Sequence, residues 1–64
     1  MITPGQIYTH NTTKNRFIIT STGIMKYQDQ WFYAVSYVKD NKSLSINFTR
    51  PKDDFLNKFS LIDL

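Results

Sequence analysis

Ser43-Leu44-Ser45-Ile46-Asn47-Phe48-Thr49 alternates apolar and small polar residues without a break, and Arg50-Pro51 ends the alternation. Side chains along a strand repeat every second residue, so this spacing predicts Leu44, Ile46 and Phe48 on one buried face of a half-exposed strand. Phe55, Leu56 and Phe59 follow at helical spacing. Pro51 cannot donate to a ladder, but its fixed φ suits the first turn of a helix. Asp53 and Asp54 fall in that turn, where carboxylates favour the positive end of the peptide dipoles. The stretch therefore predicts a strand running into a helical turn over about Pro51 to Lys58.

The rest of the chain reads as short strands separated by turns. Pro4-Gly5 opens a turn before a strand at Gln6 to His10, and Asn11 to Asn15 is a polar loop. Arg16 to Thr20 carries Phe17, Ile18 and Ile19, and Ser21-Thr22-Gly23 is a turn or bulge before Ile24 to Tyr27. Gln28-Asp29-Gln30 turns the chain into its longest strand, Trp31 to Lys39. Asp40-Asn41-Lys42 is a hairpin signal, and Ser60 to Leu64 is apolar enough for a last strand. Five or six strands at this spacing predict an all-β fold, a small bent antiparallel barrel whose closure removes exposed edges. Leu44, Ile46, Phe48, Phe55 and Phe59 are the expected centre of its core, joined by Ile7, Phe17 and Ile19.

Composition points the same way. Sixty-four residues make one domain near the lower limit for folding without staples, and with no cysteine the chain has neither disulfides nor thiolate metal sites. Five Phe, four Tyr and one Trp must supply the core. One alanine and no glutamate remove two strong helix formers, while Ile, Val, Thr, Tyr and Phe suit pleated surfaces. No segment has the length and hydropathy of a membrane span, and the first residues lack a signal-peptide profile, so a cytoplasmic protein is expected.

Three motifs stand in a consistent order: Pro4-Gly5-x-x-Tyr8-x-His10, Tyr33-x-x-x-Tyr37 and Arg50-Pro51-x-x-x-Phe55. Together they resemble a family of very short bacterial and phage proteins of unknown function, with PG-x-Y-x-H, Y-x-x-L-Y and RP-x-x-x-F motifs. The chain departs from that pattern by an extra residue, Ile7, in the opening motif and by Ser36 at a usually aliphatic position. Ser21-Thr22-Gly23 also replaces a polar R-H-S/T-E stretch. The resemblance implies an SH3-like barrel and no particular activity.

Catalytic chemistry has little to build on. His10 is the only histidine, and no neighbouring carboxylate or nucleophile is spaced to work with it. Asp53 and Asp54 point about 100° apart on a helix, so they do not converge on one proton or metal. Gly5 and Gly23 cannot make a phosphate-cradling loop. No enzyme, metal or cofactor is expected.

Binding is the better-supported class. Period two puts Trp31, Tyr33, Val35 and Tyr37 on one face of the long strand and Phe32, Ala34, Ser36 and Val38 on the other. Trp31, Tyr33 and Tyr37 are then either core or an exposed platform for a bacterial or host protein. Net charge is +3, and Lys14, Arg16 and Lys26 are expected around the first hairpin with Lys39 and Lys42 beside the second turn. Gathered at one end, these would contact nucleic-acid phosphates next to stacking aromatics. Scattered, they are a solvated surface. The first reading is a non-enzymatic module that docks on a host or bacterial protein, with phage encoding as what the resemblance implies; the alternative is a nucleic-acid-binding barrel.

Overall fold

A computed structural model of the chain describes residues 1–40 and 46–62. Its elements are β1 (Ile7–His10), β2 (Arg16–Tyr27), β3 (Gln30–Lys39), β4 (Asn47–Pro51), α1 (Lys52–Lys58) and β5 (Phe59–Leu61). Asn41 and Lys42 of the expected turn at Asp40-Asn41-Lys42, the strand residues Ser43 to Ser45 and the terminal Asp63 and Leu64 lie outside the described residues.

One antiparallel sheet runs in the order β4-β3-β2-β1-β5, an all-β, SH3-like arrangement in which a meander is completed by β5 returning to β1. The expected closure does not occur: β4 and β5 are the two edges of an open sheet. The helix explains this. Seven residues of α1, ~10 Å long at ~1.5 Å per residue, join β4 directly to β5, so a helix and not a strand ladder connects the two edges.

Local sequence accounts for the turns. Pro4-Gly5 makes a tight turn closed by Gln6 N–H to the Thr3 carbonyl at 3.3 Å, with Gly5 at φ 93°, which a type II turn requires of its third residue. That turn seats Ile2 against the core. Gln28 and Asp29 form a two-residue hairpin turn, both with positive φ (50° and 62°), the geometry of a type I′ turn. The helix starts at Lys52 rather than at Pro51, whose extended φ and ψ of −57° and 142° end β4.

The two segments expected on either side of Ser21-Thr22-Gly23 are a single strand, β2, with a bulge. Ile19 pairs with Tyr37 but Ser21 pairs with Ser36, so Thr20 is the extra residue. Its effect is a change of parity. Phe17 and Ile19 share the core face before the bulge, whereas Thr22, Ile24 and Lys26 share that face beyond it.

An aromatic cluster forms the core. Phe55 and Phe59 stack at 4.3 Å, Tyr8 meets Phe55 edge-on at 5.0 Å, and Tyr37 packs against Phe55, Phe59 and Phe17 at 5.1 to 5.3 Å. Ile2, Ile19 and Val35 complete it. The expected core members Phe55, Phe59 and Ile19 are buried and Phe17 packs against them, while Ile7 is half-buried. Ile46 and Phe48 correct the reading of the alternating stretch, being 54% and 41% exposed. β4 is an edge strand with a partner on one side only, so alternation there sets a face without putting a layer over it. Phe48 still stacks on Tyr37 at 5.5 Å, at the rim of the cluster. Leu44 lies outside the described residues.

Candidate functional site

The sheet is not equally wide along its length. β1 pairs with β2 only at Arg16, Phe17 and Ile18, and β4 pairs with β3 only from Ala34 to Val38. Beyond those limits Ile24 to Tyr33 is a two-stranded ribbon, closed by the Gln28-Asp29 turn, that carries the long axis of a 35 × 22 × 20 Å molecule. A twelve-residue strand is roughly 36 Å long at ~3.3 Å per residue if straight, comparable with that longest dimension.

Residues opposite one another in an antiparallel pair share a face. Ile24 opposite Tyr33 and Lys26 opposite Trp31 therefore extend the face that Val35 and Tyr37 present to the core. Val35 and Tyr37 are 1% and 2% exposed, whereas Ile24, Trp31 and Tyr33 are 66%, 65% and 73% exposed. The core face has run past the end of the core. Where ribbon meets body, Ile2, Ile24, Tyr33, Val35 and Lys52, with Met1 at the rim, line a concave pocket of about 410 Å³. Pockets of this size lie within the range that holds a small ligand or a partner's side chain.

Two lysines flank the rings. Lys26 Nζ lies 5.8 Å from the Trp31 ring centroid and Lys52 Nζ 5.9 Å from that of Tyr33, both in cation–π range. Neither has a carboxylate within 4.0 Å among the described residues, which is also true of Lys14 and Lys39 on the body. There Arg16 pairs with Asp40 at 3.6 Å, and Asp54 takes Arg50 at 2.8 Å and Lys58 at 3.3 Å.

The sequence-predicted aromatic platform is thus divided. Trp31 and Tyr33 are exposed together, but Tyr37 belongs to the core: four rings pack around it, and its hydroxyl accepts a 2.7 Å hydrogen bond from Arg50 Nε. The expected basic cluster is divided as well. Arg16 and Lys26 stand at opposite ends of β2, ~33 Å apart along the strand. Lys39 lies opposite Phe17 at the Arg16 end, and Lys14, at φ 65°, is in the adjacent exposed loop. Lys42 lies outside the described residues. So three described cations gather at one end and Lys26 stands with the aromatics at the other.

His10 and Asp54, two of the residues weighed for catalysis, make local structural contacts. His10 ends β1, its Nδ1 accepts the backbone N–H groups of Thr12 and Thr13 at 3.2 and 3.3 Å, and its ring meets Phe59 edge-on at 4.9 Å. Asp54 bridges Arg50 and Lys58, and the hydrogen bond from Arg50, followed by that from Lys58, holds its carboxyl below the usual range. Burial pushes the Tyr8 phenol up. Among the described residues no three His, Asp or Glu side chains come together as a metal site would need. Among the described residues no helix is long and apolar enough to cross a membrane.

Ile24 and Lys52 were missed by sequence reasoning. Ile24 was recoverable: a two-residue turn at Gln28-Asp29 pairs Tyr27 with Gln30, and counting outward puts Ile24 opposite Tyr33. Lys52 carried no signal, because its approach to Tyr33 depends on how α1 leaves β4.

Comparison of the chain with protein-family models, with curated proteins and with solved structures finds no match.

Proposed function

We propose that this chain is a small non-enzymatic binding module that docks on a bacterial or host protein through the projecting ribbon of β2 and β3. One observation carries the reading: the face that forms the core continues beyond it as Ile24, Trp31 and Tyr33, all more than half exposed. Exposed aromatics on a preformed strand pair lose little conformational entropy on binding, which is why Trp and Tyr dominate interface energetics. The resemblance to short bacterial and phage proteins supports a partner in the bacterial cytoplasm, such as a host enzyme that a phage protein would modulate. Nucleic acid fits the geometry less well. The cations of Lys14, Arg16 and Lys39 lie ~30 Å from the aromatic rings, along β2. Two phosphate contacts, at Lys26 and Lys52, would supply only a weak electrostatic term.

The test uses the immobilised chain and a Trp31→Ser/Tyr33→Ser variant in nuclease-treated and untreated bacterial lysate. A stoichiometric protein retained by the parent and lost by the folded variant is the expected result. Retention of nucleic acid in place of protein, or equal retention by both chains, would overturn it.

A further inference from the structure

Resting on that docking reading, we infer that the ribbon recognises an acidic partner segment: one bulky apolar side chain enters the pocket between Ile2, Ile24, Tyr33 and Val35, and flanking carboxylates pair with Lys52 and Lys26. Charge complementarity is the ground for this. The molecule neutralises Arg16, Arg50 and Lys58 on its body with its own aspartates. Lys14, Lys26, Lys39 and Lys52 have no carboxylate within 4.0 Å among the described residues, and of these Lys26 and Lys52 are the two held over exposed rings. Both lysines are exposed, and an ammonium held over an aromatic face is positioned, so a partner carboxylate meets a charge that needs less ordering.

Shape selects the apolar half of the ligand. The pocket of about 410 Å³ is lined mostly by aliphatic and aromatic residues, with Thr22 and Gly23 among them and Lys52 as its charged side chain. A Phe or Leu side chain would be covered on its flanks there, with its own backbone left at the mouth where both lysines can reach adjoining residues. An oligonucleotide could stack on Trp31 but would leave this aliphatic hollow unused and would find no continuous cationic track. A second copy could offer Asp53 and the exposed Leu56 of α1, so self-association is a distinct outcome to be measured.

The experiment titrates the ¹⁵N-labelled full chain with end-blocked peptides in which one Phe is flanked on each side by two Asp, and with the same peptides carrying Lys for Asp or Gly for Phe. Oligothymidylate of about ten nucleotides, within the usual site size for single strands, is a fourth probe. The Asp-Phe peptide is expected to shift the amides of Ile24, Tyr33, Val35 and Lys52. Its binding should be at least about tenfold tighter than that of the Lys or Gly peptides, a difference of ~1.4 kcal/mol. A Lys26→Ala/Lys52→Ala chain should lose most of that preference while keeping its dispersed spectrum. Equal binding of Asp and Lys peptides, tighter binding of oligothymidylate, shifts confined to another face, or dimerisation that protects the ribbon would each overturn the inference. If peptide selectivity fails while lysate capture still requires Trp31, the acidic specificity falls and docking stands. If capture proves independent of Trp31 and Tyr33, docking itself falls.

Discussion

Trp31-Tyr33 and Val35-Tyr37 occupy alternate positions of one strand and one face, yet the first pair is solvent-exposed and the second is buried. Neither strand propensity nor hydrophobicity separates them. What differs is the number of neighbours: Val35 and Tyr37 lie where β4 continues the sheet and α1 covers it, while Trp31 and Tyr33 have β2 alone beside them. A side chain's face follows from the period of its own strand, but its burial follows from the other elements.

The largest effect belongs on the body side of that comparison. Phe55 is fully buried between Tyr8, Tyr37 and Phe59. Phe55→Ala is expected to cost ~3–5 kcal/mol, about the whole stability available to a domain of this size. Circular dichroism should show a largely unfolded chain at 25 °C; a cooperative melt within a few degrees of the parent would contradict the placement of the core. Phe48→Ala removes a ring at the exposed rim and should cost less, ~1–2 kcal/mol in a urea titration. An equal loss for both variants would erase the distinction between centre and edge.

The ribbon should respond differently. Gln28 and Asp29 both adopt the left-handed region, which costs L-residues on the order of 1 kcal/mol or more each, and Asn-Gly suits a type I′ turn better. Gln28→Asn/Asp29→Gly is expected to raise stability by ~1 kcal/mol, read from the urea midpoint at constant slope. No gain would mean that the turn is not strained. Trp31→Ser/Tyr33→Ser removes two large rings from an exposed surface, and its stability should stay within ~0.5 kcal/mol of the parent. A loss of several kcal/mol would move these residues from binding surface to core.

The smallest effect concerns pH. Asp54 is held by Arg50 and then Lys58 with its pKa lowered in the folded state. Its contribution is therefore present above the unfolded value of about 3.9 and is lost as pH falls through the folded value. Asp54→Asn should lower the urea midpoint slightly at neutral pH and leave it unchanged well below the folded value, which flattens the acid limb. An unchanged acid limb would remove the Arg50-Asp54-Lys58 link from the account.

Much of the architecture was readable from residues alone, for physical reasons that can be named. Pro51 followed by Asp53 and Asp54 marked the helix, and Pro4-Gly5 and Gln28-Asp29 marked turns that fix chain direction. Ile46 and Phe48 were misplaced because alternation on an edge strand looks the same as alternation in a covered one. Tyr37 was grouped with Trp31 and Tyr33 because period two carries no information about where a sheet narrows. Lys26 was grouped with Lys14 and Arg16 because a twelve-residue bulged strand was read as two short ones, folding a ~33 Å separation into one hairpin. The pocket could not be read at all, since it needs Ile2, the ribbon and Lys52 to meet in space.

The exposed half of the core face is the centre of this account, and Trp31 is the only tryptophan in the chain. Its intrinsic fluorescence in the isolated protein, with acrylamide quenching, reports on that half without any substitution. The expected result is emission at the position of a water-exposed indole, quenched about as readily as a free one, and blue-shifted and protected once a partner occupies the ribbon. Emission from a buried indole resistant to acrylamide in the isolated protein would contradict the account.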